Sequence, residues 1–242
     1  LAHSENYLIY PENITDKLSI DEVSLSNGEL YTFVTNKNSK AKNKKSLVAV
    51  SNGTEAKIIQ EVLEKVPLEK RNEVKEISMD MARNMHLAAS NSFPKSTSDV
   101  DRFHVVKLIM DALQHIRVKY RWKAIEDENT AIKEAKQKGI KYSPKILANG
   151  DTLKELLVRS KYLLYKFDDQ WTLNQSKRAK LLFQMYPDLE AIYELTLEFR
   201  CIYQNKSKEK AAAQFTEWKH KVSALKLDEF NTVVNSLEYH FD

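Results

Sequence analysis

Three aspartates occupy sequence positions that suit metal chemistry. Asp21 lies within the first predicted strand, whereas Asp80 and Asp101 directly follow the fourth and fifth predicted strands. Carboxylate oxygens are the ligands that Mg²⁺ takes in proteins. Two such ions about 4 Å apart can activate a nucleophile and stabilise the leaving oxygen of a phosphodiester. The alternative is that each Asp caps a turn between a strand and a helix, where Asp is common, and spacing alone favours this alternative.

Two further groups are of types that could act on a phosphodiester. His104 follows Asp101 by three residues at a predicted helix start, so both side chains can face one site; a satisfied polar contact is its simpler role. A basic cluster in a predicted loop would attract a phosphate backbone, although such runs are more often solvated loops. This cluster consists of Lys37, Lys40, Lys42, Lys44 and Lys45.

The elements that must position these residues change in kind near residue 100. Before it, predicted strands alternate with predicted helices, and Asn27-Gly28 is a strong hairpin signal between the first two strands. The predicted strands span 19–25, 29–35, 46–50, 74–79 and 98–100, and the helices span 54–66 and 81–93. Three antiparallel strands followed by helix, strand, helix and strand is the order of the ribonuclease-H-like fold. In that fold the first and fourth strands are neighbours, so the Asp21 and Asp80 carboxylates would converge.

Beyond residue 100 nearly every apolar pattern has helical spacing. The predicted helices span 103–137, 152–167, 173–185, 189–203, 206–225 and 227–241, with a loop over 139–151. Many aromatic residues recur at helical spacing in this half, which indicates core packing; base stacking is the less favoured role. Cys201 has no clear His or acidic partner in the sequence, so we expect a buried small apolar side chain.

Composition excludes several classes of protein. One Cys excludes a disulfide framework and a Cys-based zinc finger, and 4 Gly with 5 Pro exclude collagen-like and mostly β chains. No apolar run approaches a membrane span and no secretory signal opens the chain, so we expect a cytoplasmic protein without a membrane partner. The net charge of +4 permits an anionic partner without requiring one. The first residue is Leu1, which indicates a fragment or a trimmed chain.

Four blocks resemble the transposases of the ISL3 group of bacterial insertion sequences. They are Asp21-Glu22-Val-Ser, Gly28 with Tyr31-Thr, Ser78-Met79-Asp80-Met81 and Asp101-Arg-Phe-His104-Val-Val-Lys107. Later blocks such as Leu189-Glu-Ala-Ile-Tyr193 and Glu198-Phe-Arg extend the resemblance over nearly the whole chain from about Ser19. The Met-Asp-Met and Asp-Arg-Phe-His blocks are fairly specific in this order and at this separation.

The resemblance implies a DDE-type recombinase of mixed α/β class. Its ribonuclease-H-like core is interrupted by a helical insertion, and it cleaves and joins DNA with Mg²⁺ or Mn²⁺. Carried over, Asp21 and Asp80 are the catalytic metal ligands, and Asp101 and His104 match a block beside the site. The implied partners are transposon-end and target DNA, together with further copies of the chain assembled on DNA. The predicted domains are a lead-in over 1–18, a partial core over 19–118 and the insertion over 119–242.

This sequence departs from the family pattern in two respects. The final Glu of the family and its N-terminal DNA-binding region have no counterpart here, so we expect a central fragment that is inactive alone. Two alternatives stay open. One is a non-catalytic helical module that binds DNA or a partner, and the other is a self-contained ribonuclease-H-like nuclease that uses Asp21, Asp80 and Asp101.

Overall fold

The computed structural model describes residues 6–25, 28–39, 46–205, 207–226 and 228–241. The chain forms two compact units, Leu1–Val105 and Val106–Asp242. The first unit carries all the described strands, and the second is helical throughout its described regular elements. Within the described residues, no helix combines the length and the apolar character needed to cross a membrane.

The first unit is built on a mixed six-stranded sheet. Its strands are β1 (Tyr7–Ile9), β2 (Lys17–Ser24), β3 (Leu30–Asn36), β4 (Leu47–Asn52), β5 (Glu76–Met79) and β6 (Thr97–Val100). The spatial order is β1-β4-β3-β2-β5-β6. The first four strands pair antiparallel with their neighbours, while β2 pairs parallel with β5 and β5 pairs parallel with β6.

Helices cover one face of this sheet and form the apolar core with it. They are α1 (Ala56–Leu63) and α3 (Arg83–Ser92), and between them the chain forms the one-turn helix α2 (Leu68–Arg71), which has no buried residue. Leu18, Ile20, Ile77 and Met79 are fully buried and pack in one cluster with residues of α1 and α3. Because alternate residues of a strand point to opposite faces, Ser19 and Asp21 lie on the face away from this core.

The second unit is a helical body held together by aromatic side chains. The long helix α4 (Arg102–Gln137) leads into it, and α5 (Leu153–Arg159), α6 (Leu173–Met185), α7 (Pro187–Ile202), α8 (Lys208–Leu225) and α9 (Asp228–Phe241) follow. Phe199 and Trp218 are fully buried, with ring centroids 4.8 Å apart. The Trp218 indole N–H donates to the Leu195 carbonyl at 2.8 Å. The aromatic pattern of this half therefore builds a core, as its helical spacing predicts.

The mixed α/β class predicted from the sequence is confirmed, and most element positions agree with it. Four details were wrong. The short edge strand β1 and the short helix α2 were not predicted, and α1 begins at Ala56 rather than at residue 54. The helix expected over 152–167 ends at Arg159, and short 3₁₀ turns at Leu163–Tyr165 and Asp168–Gln170 replace its second half.

Candidate functional site

The sheet register places the three aspartates side by side. Ile20 pairs with Met79, and Met79 pairs with Val100, in parallel ladders. Asp21, Asp80 and Asp101 each come one residue later, and the Asp101 amide extends the ladder by donating to the Met79 carbonyl at 2.6 Å. Adjacent strands lie about 4.8 Å apart. Asp80 therefore stands next to both other aspartates, whereas Asp21 and Asp101 are separated by two strand spacings, about 10 Å.

Side chains from two elements lie next to the Asp21 carboxylate. The Ser19 hydroxyl, two residues earlier on the same strand, donates to Asp21 Oδ2 at 3.1 Å. His104 Nε2 lies 3.7 Å from Asp21 Oδ1. His104 is in the first turn of α4, three residues after Asp101, so this turn leads from the end of β6 back towards β2. The structure thus brings His104 to Asp21, a contact that the sequence spacing did not identify.

Asp80 and Asp101 are held by backbone amides instead. Asp80 Oδ1 accepts from the Ala82 amide at 2.7 Å, and Asp101 Oδ1 accepts from the Phe103 amide at 2.8 Å. Both bonds span two residues and stabilise the turn from strand to helix. The turn-stabilising role considered for these aspartates is therefore present, and it engages one oxygen of each carboxylate. His86 of α3 adds a contact of 3.1 Å from Nε2 to the Asp80 carbonyl.

Asp21, Asp80 and Asp101, here called the aspartate row, offer oxygen ligands of the kind that hard divalent cations take. Asp21 and Asp80 supply carboxylate oxygens from neighbouring strands, and Mg²⁺ commonly takes one or two carboxylates and fills its remaining positions with water. Over the described ranges, no three His, Cys, Asp or Glu side chains converge closely enough to hold a metal ion together. A metal site at Asp21 and Asp80 therefore stays a prediction.

The basic cluster is only partly described. Lys37 is exposed in the turn after β3, and its amide donates to the Lys17 carbonyl at 3.0 Å. Lys40, Lys42, Lys44 and Lys45 lie outside the described residues. The role of these lysines in DNA binding stays a prediction.

Sequence reasoning missed Ser19, whose hydroxyl bonds to the Asp21 carboxylate. Ser19 lies two positions before Asp21, and the two-residue period of a strand is a signal that could have identified it.

Cys201, expected to be buried, is exposed on α7. It lies beside Glu198 and Gln214 on the wall of an open cleft of about 280 Å³ within the helical unit, so apolar burial does not explain this cysteine.

Comparison with known proteins identifies a family for this chain. A sequence profile of the DDE transposases of the ISL3 group, described as "Transposase", matches residues 18–242. No curated protein and no solved structure matches the chain. The matched range contains Asp21, Asp80, Asp101 and His104 and covers far more than half of the sequence. The chain therefore belongs to the ISL3 group of DDE transposases.

Proposed function

We propose that the sheet unit is the ribonuclease-H-like catalytic core of a transposase that cleaves and transfers DNA strands at insertion-sequence ends. The strand order supports this assignment. Along β4-β3-β2-β5-β6, an antiparallel meander is extended by two parallel strands. This is the arrangement implied by the predicted element order. The strand β1 adds one antiparallel neighbour at the far edge.

The observation that carries the proposal is the placement of Asp21 beside Asp80. The two residues are 59 positions apart in sequence, yet the parallel pairing of β2 with β5 brings them to one level on adjacent strands. In this function, Asp21 and Asp80 hold a divalent cation. Bound Mg²⁺ or Mn²⁺ polarises the scissile phosphate and lowers the pKa of water. Asp101 and His104 flank the pair, and exposed lysines contact the DNA phosphates.

Metal affinity tests this proposal directly. We expect the chain to bind Mn²⁺ in a calorimetric titration, and Asp21→Asn or Asp80→Asn to weaken that binding at least tenfold, because removing a ligand from a pair leaves one carboxylate. Glu22→Gln is a matched control, because Glu22 neighbours Asp21 on β2 and points to the opposite face. Equal affinity in all four proteins would rule out the Asp21–Asp80 site.

A second candidate function is the self-contained nuclease. The position of Asp101 level with Asp80 on the adjacent strand favours it, since Asp80 could then share a second ion with Asp101. A self-contained nuclease would nick generic duplex DNA in a metal-dependent reaction, and Asp101→Asn would abolish that reaction. Nicking that survives Asp101→Asn would exclude Asp101 from a self-contained catalytic set. The transposase fragment is expected to be inactive alone, so Mn²⁺ binding that needs Asp21 and Asp80, without nicking, supports the transposase arrangement. DNA binding by a chain that does not bind Mn²⁺ would instead indicate the non-catalytic module.

A further inference from the structure

Ser19 is a buried polar side chain that belongs to the aspartate row. It is 7% exposed and lies between the fully buried Leu18 and Ile20 on β2. Its hydroxyl donates to Asp21 Oδ2 at 3.1 Å. Buried hydroxyls nearly always have a hydrogen-bond partner, and a bond to an ionised carboxylate is stronger than one between neutral groups.

The position of Asp21 within its strand explains why a side chain is needed there. Asp80 and Asp101 follow the ends of their strands, where free backbone amides of the next turn bind one carboxylate oxygen. Asp21 lies in the middle of β2, where the backbone is paired with β3. Alternate amides there bond to β3 in the ladder, and no strand-to-helix turn follows Asp21 to offer its carboxylate a free amide. The Ser19 hydroxyl supplies the donor that the backbone supplies for the other two aspartates.

We propose that Ser19 is a positioning residue that fixes the rotation of the Asp21 carboxylate. Its bond holds Oδ2, so that Oδ1, the oxygen on the His104 side, is presented to the cation. This inference rests on the proposed metal site. Partners that orient a metal ligand typically contribute tenfold to a hundredfold to metal affinity.

The neighbouring strand offers a matched control. Ser78 pairs with Ser19 in the sheet register, is 1% exposed and has the same relation to Asp80 in sequence. The Asp80 carboxylate, however, is held by the Ala82 amide. Ser78→Ala therefore removes an equally buried hydroxyl without removing the donor that orients a carboxylate.

Calorimetric Mn²⁺ titration of the whole chain tests the role of Ser19, with thermal unfolding measured on each variant. We expect Ser19→Ala to weaken Mn²⁺ binding at least tenfold, Ser19→Thr to retain most of the affinity, and Ser78→Ala to leave it unchanged. Equal affinity of Ser19→Ala and the unchanged chain, or equal losses in Ser19→Ala and Ser78→Ala, would overturn the inference. If Asp21→Asn also binds as tightly as the unchanged chain, the metal site itself is wrong.

A separate observation concerns exposed lysines at the end of α4. The lysine segment comprises Lys133, Lys136, Lys138, Lys141 and Lys145, all exposed. Glu134 is the single acidic residue between positions 129 and 150. The ion pairs formed among the described residues use other lysines. The segment therefore presents a concentrated positive charge.

The backbone of this segment is anchored at both ends. Gly139 adopts φ +68°, and the Ile140 amide donates to the Ala135 carbonyl at 3.0 Å, which closes α4 with a Schellman-type cap. At the other end, the Leu147 amide donates to the Asp151 carbonyl at 2.8 Å. Lysines near a helix C-terminus also complement its dipole. That explains Lys136 and Lys138, but not Lys141 and Lys145, which lie beyond the helix.

We infer that the lysine segment contacts the phosphate backbone of DNA. A long connection without regular structure is commonly functional, and clustered unpaired lysines match a polyanion in charge. This inference also rests on the proposed function, which supplies DNA as the partner.

The salt dependence of DNA affinity tests this surface. The triple variant Lys138→Gln, Lys141→Gln and Lys145→Gln should lower the slope of log affinity against log salt by up to about 3, since each phosphate contact contributes about 0.9. The control triple variant changes Lys57, Lys75 and Lys95, exposed lysines on separate parts of the sheet unit. Equal slopes in the two triple variants would overturn the inference. Absence of DNA binding by the unchanged chain would instead contradict the proposed function.

Discussion

At the scale of single residues, Asp151 is the most completely buried charge with ion-pair partners among the residues that the structure describes. Its side chain is 2% exposed and lies between Arg178, at 3.0 Å, and Arg159. Burial alone raises the pKa of this carboxyl, but hydrogen bonds and charge from Arg178 and Arg159 outweigh it and leave the pKa below its usual value. The ionised carboxylate is thus the form that the fold favours.

Asp151→Asn should destabilise the helical unit by about 2 kcal/mol, because Arg178 loses its carboxylate partner while the half-exposed Arg159 keeps only its ion pair with Glu155. The folded pKa is lowered, so the contribution of Asp151 is complete above the unfolded pKa, about 3.9. It is lost as the pH falls through the folded pKa. Urea unfolding at pH 7 and at pH 3 measures both effects, and the difference between variant and unchanged chain should shrink at the lower pH.

Asp169→Asn provides the comparison for that experiment. Asp169 is exposed in a short 3₁₀ turn of the same unit, and exposed substitutions usually change stability by less than about 0.5 kcal/mol. An Asp151→Asn chain as stable as the Asp169→Asn chain at pH 7 would show that the arginine pair does not stabilise the fold.

At the scale of elements, α6 depends on its N-cap. The Thr172 hydroxyl accepts from the Gln175 amide at 3.3 Å, and the Gln175 side chain accepts from the Thr172 amide at 3.0 Å. Thr172→Ala should therefore cost about 1 kcal/mol in thermal or urea unfolding, and Thr172→Ser should recover most of it.

Thr216→Ala tests whether any loss at Thr172 comes from capping. Thr216 is exposed within α8, where its hydroxyl bonds back to the Ala212 carbonyl. Alanine is the better helix former there, so this change should be neutral or slightly stabilising. A loss of similar size at both positions would argue against the capping box as the cause.

Local signals such as this cap allowed some helix bounds to be predicted from the sequence, whereas bounds set by distant side chains could not be predicted. The bounds of α6 were predicted to the residue because local signals define them, with Thr172 before the helix and Pro187 after it. The end of α5 could not be predicted because side chains from distant positions take the carbonyls that would continue the helix. Arg117 donates to the Leu157 carbonyl, and Gln114 donates to the Lys161 carbonyl.

The candidate site likewise contains one feature that could be predicted from the sequence and one that could not. The proximity of Asp21 and Asp80 followed from the order of strands, since that order implies which strands pair. The contact of His104 with Asp21 depends on how the first turn of α4 crosses from β6 to β2. That path is a tertiary property, and the three-residue spacing from Asp101 does not specify it.

At the scale of the whole molecule, the net charge is only mildly positive. The net charge is +4 and the pI is about 8.8. Phosphate contacts supply affinity without sequence information, whereas base contacts in the grooves supply specificity. We expect the lysines of 37–45 and 133–145 to make contacts of the first class.

We therefore expect the chain to bind duplex DNA weakly and without sequence preference. Fluorescence anisotropy with two duplexes of equal length and unrelated sequence should give affinities within about threefold, because specific recognition produces ratios of roughly a thousandfold or more. Between 50 mM and 200 mM salt the affinity should fall steeply for both duplexes, since each lysine–phosphate contact releases counterions. A marked preference for one duplex that persists at the higher salt concentration would mean that side chains of this chain read base edges, and phosphate attraction alone would then be an insufficient account of its binding.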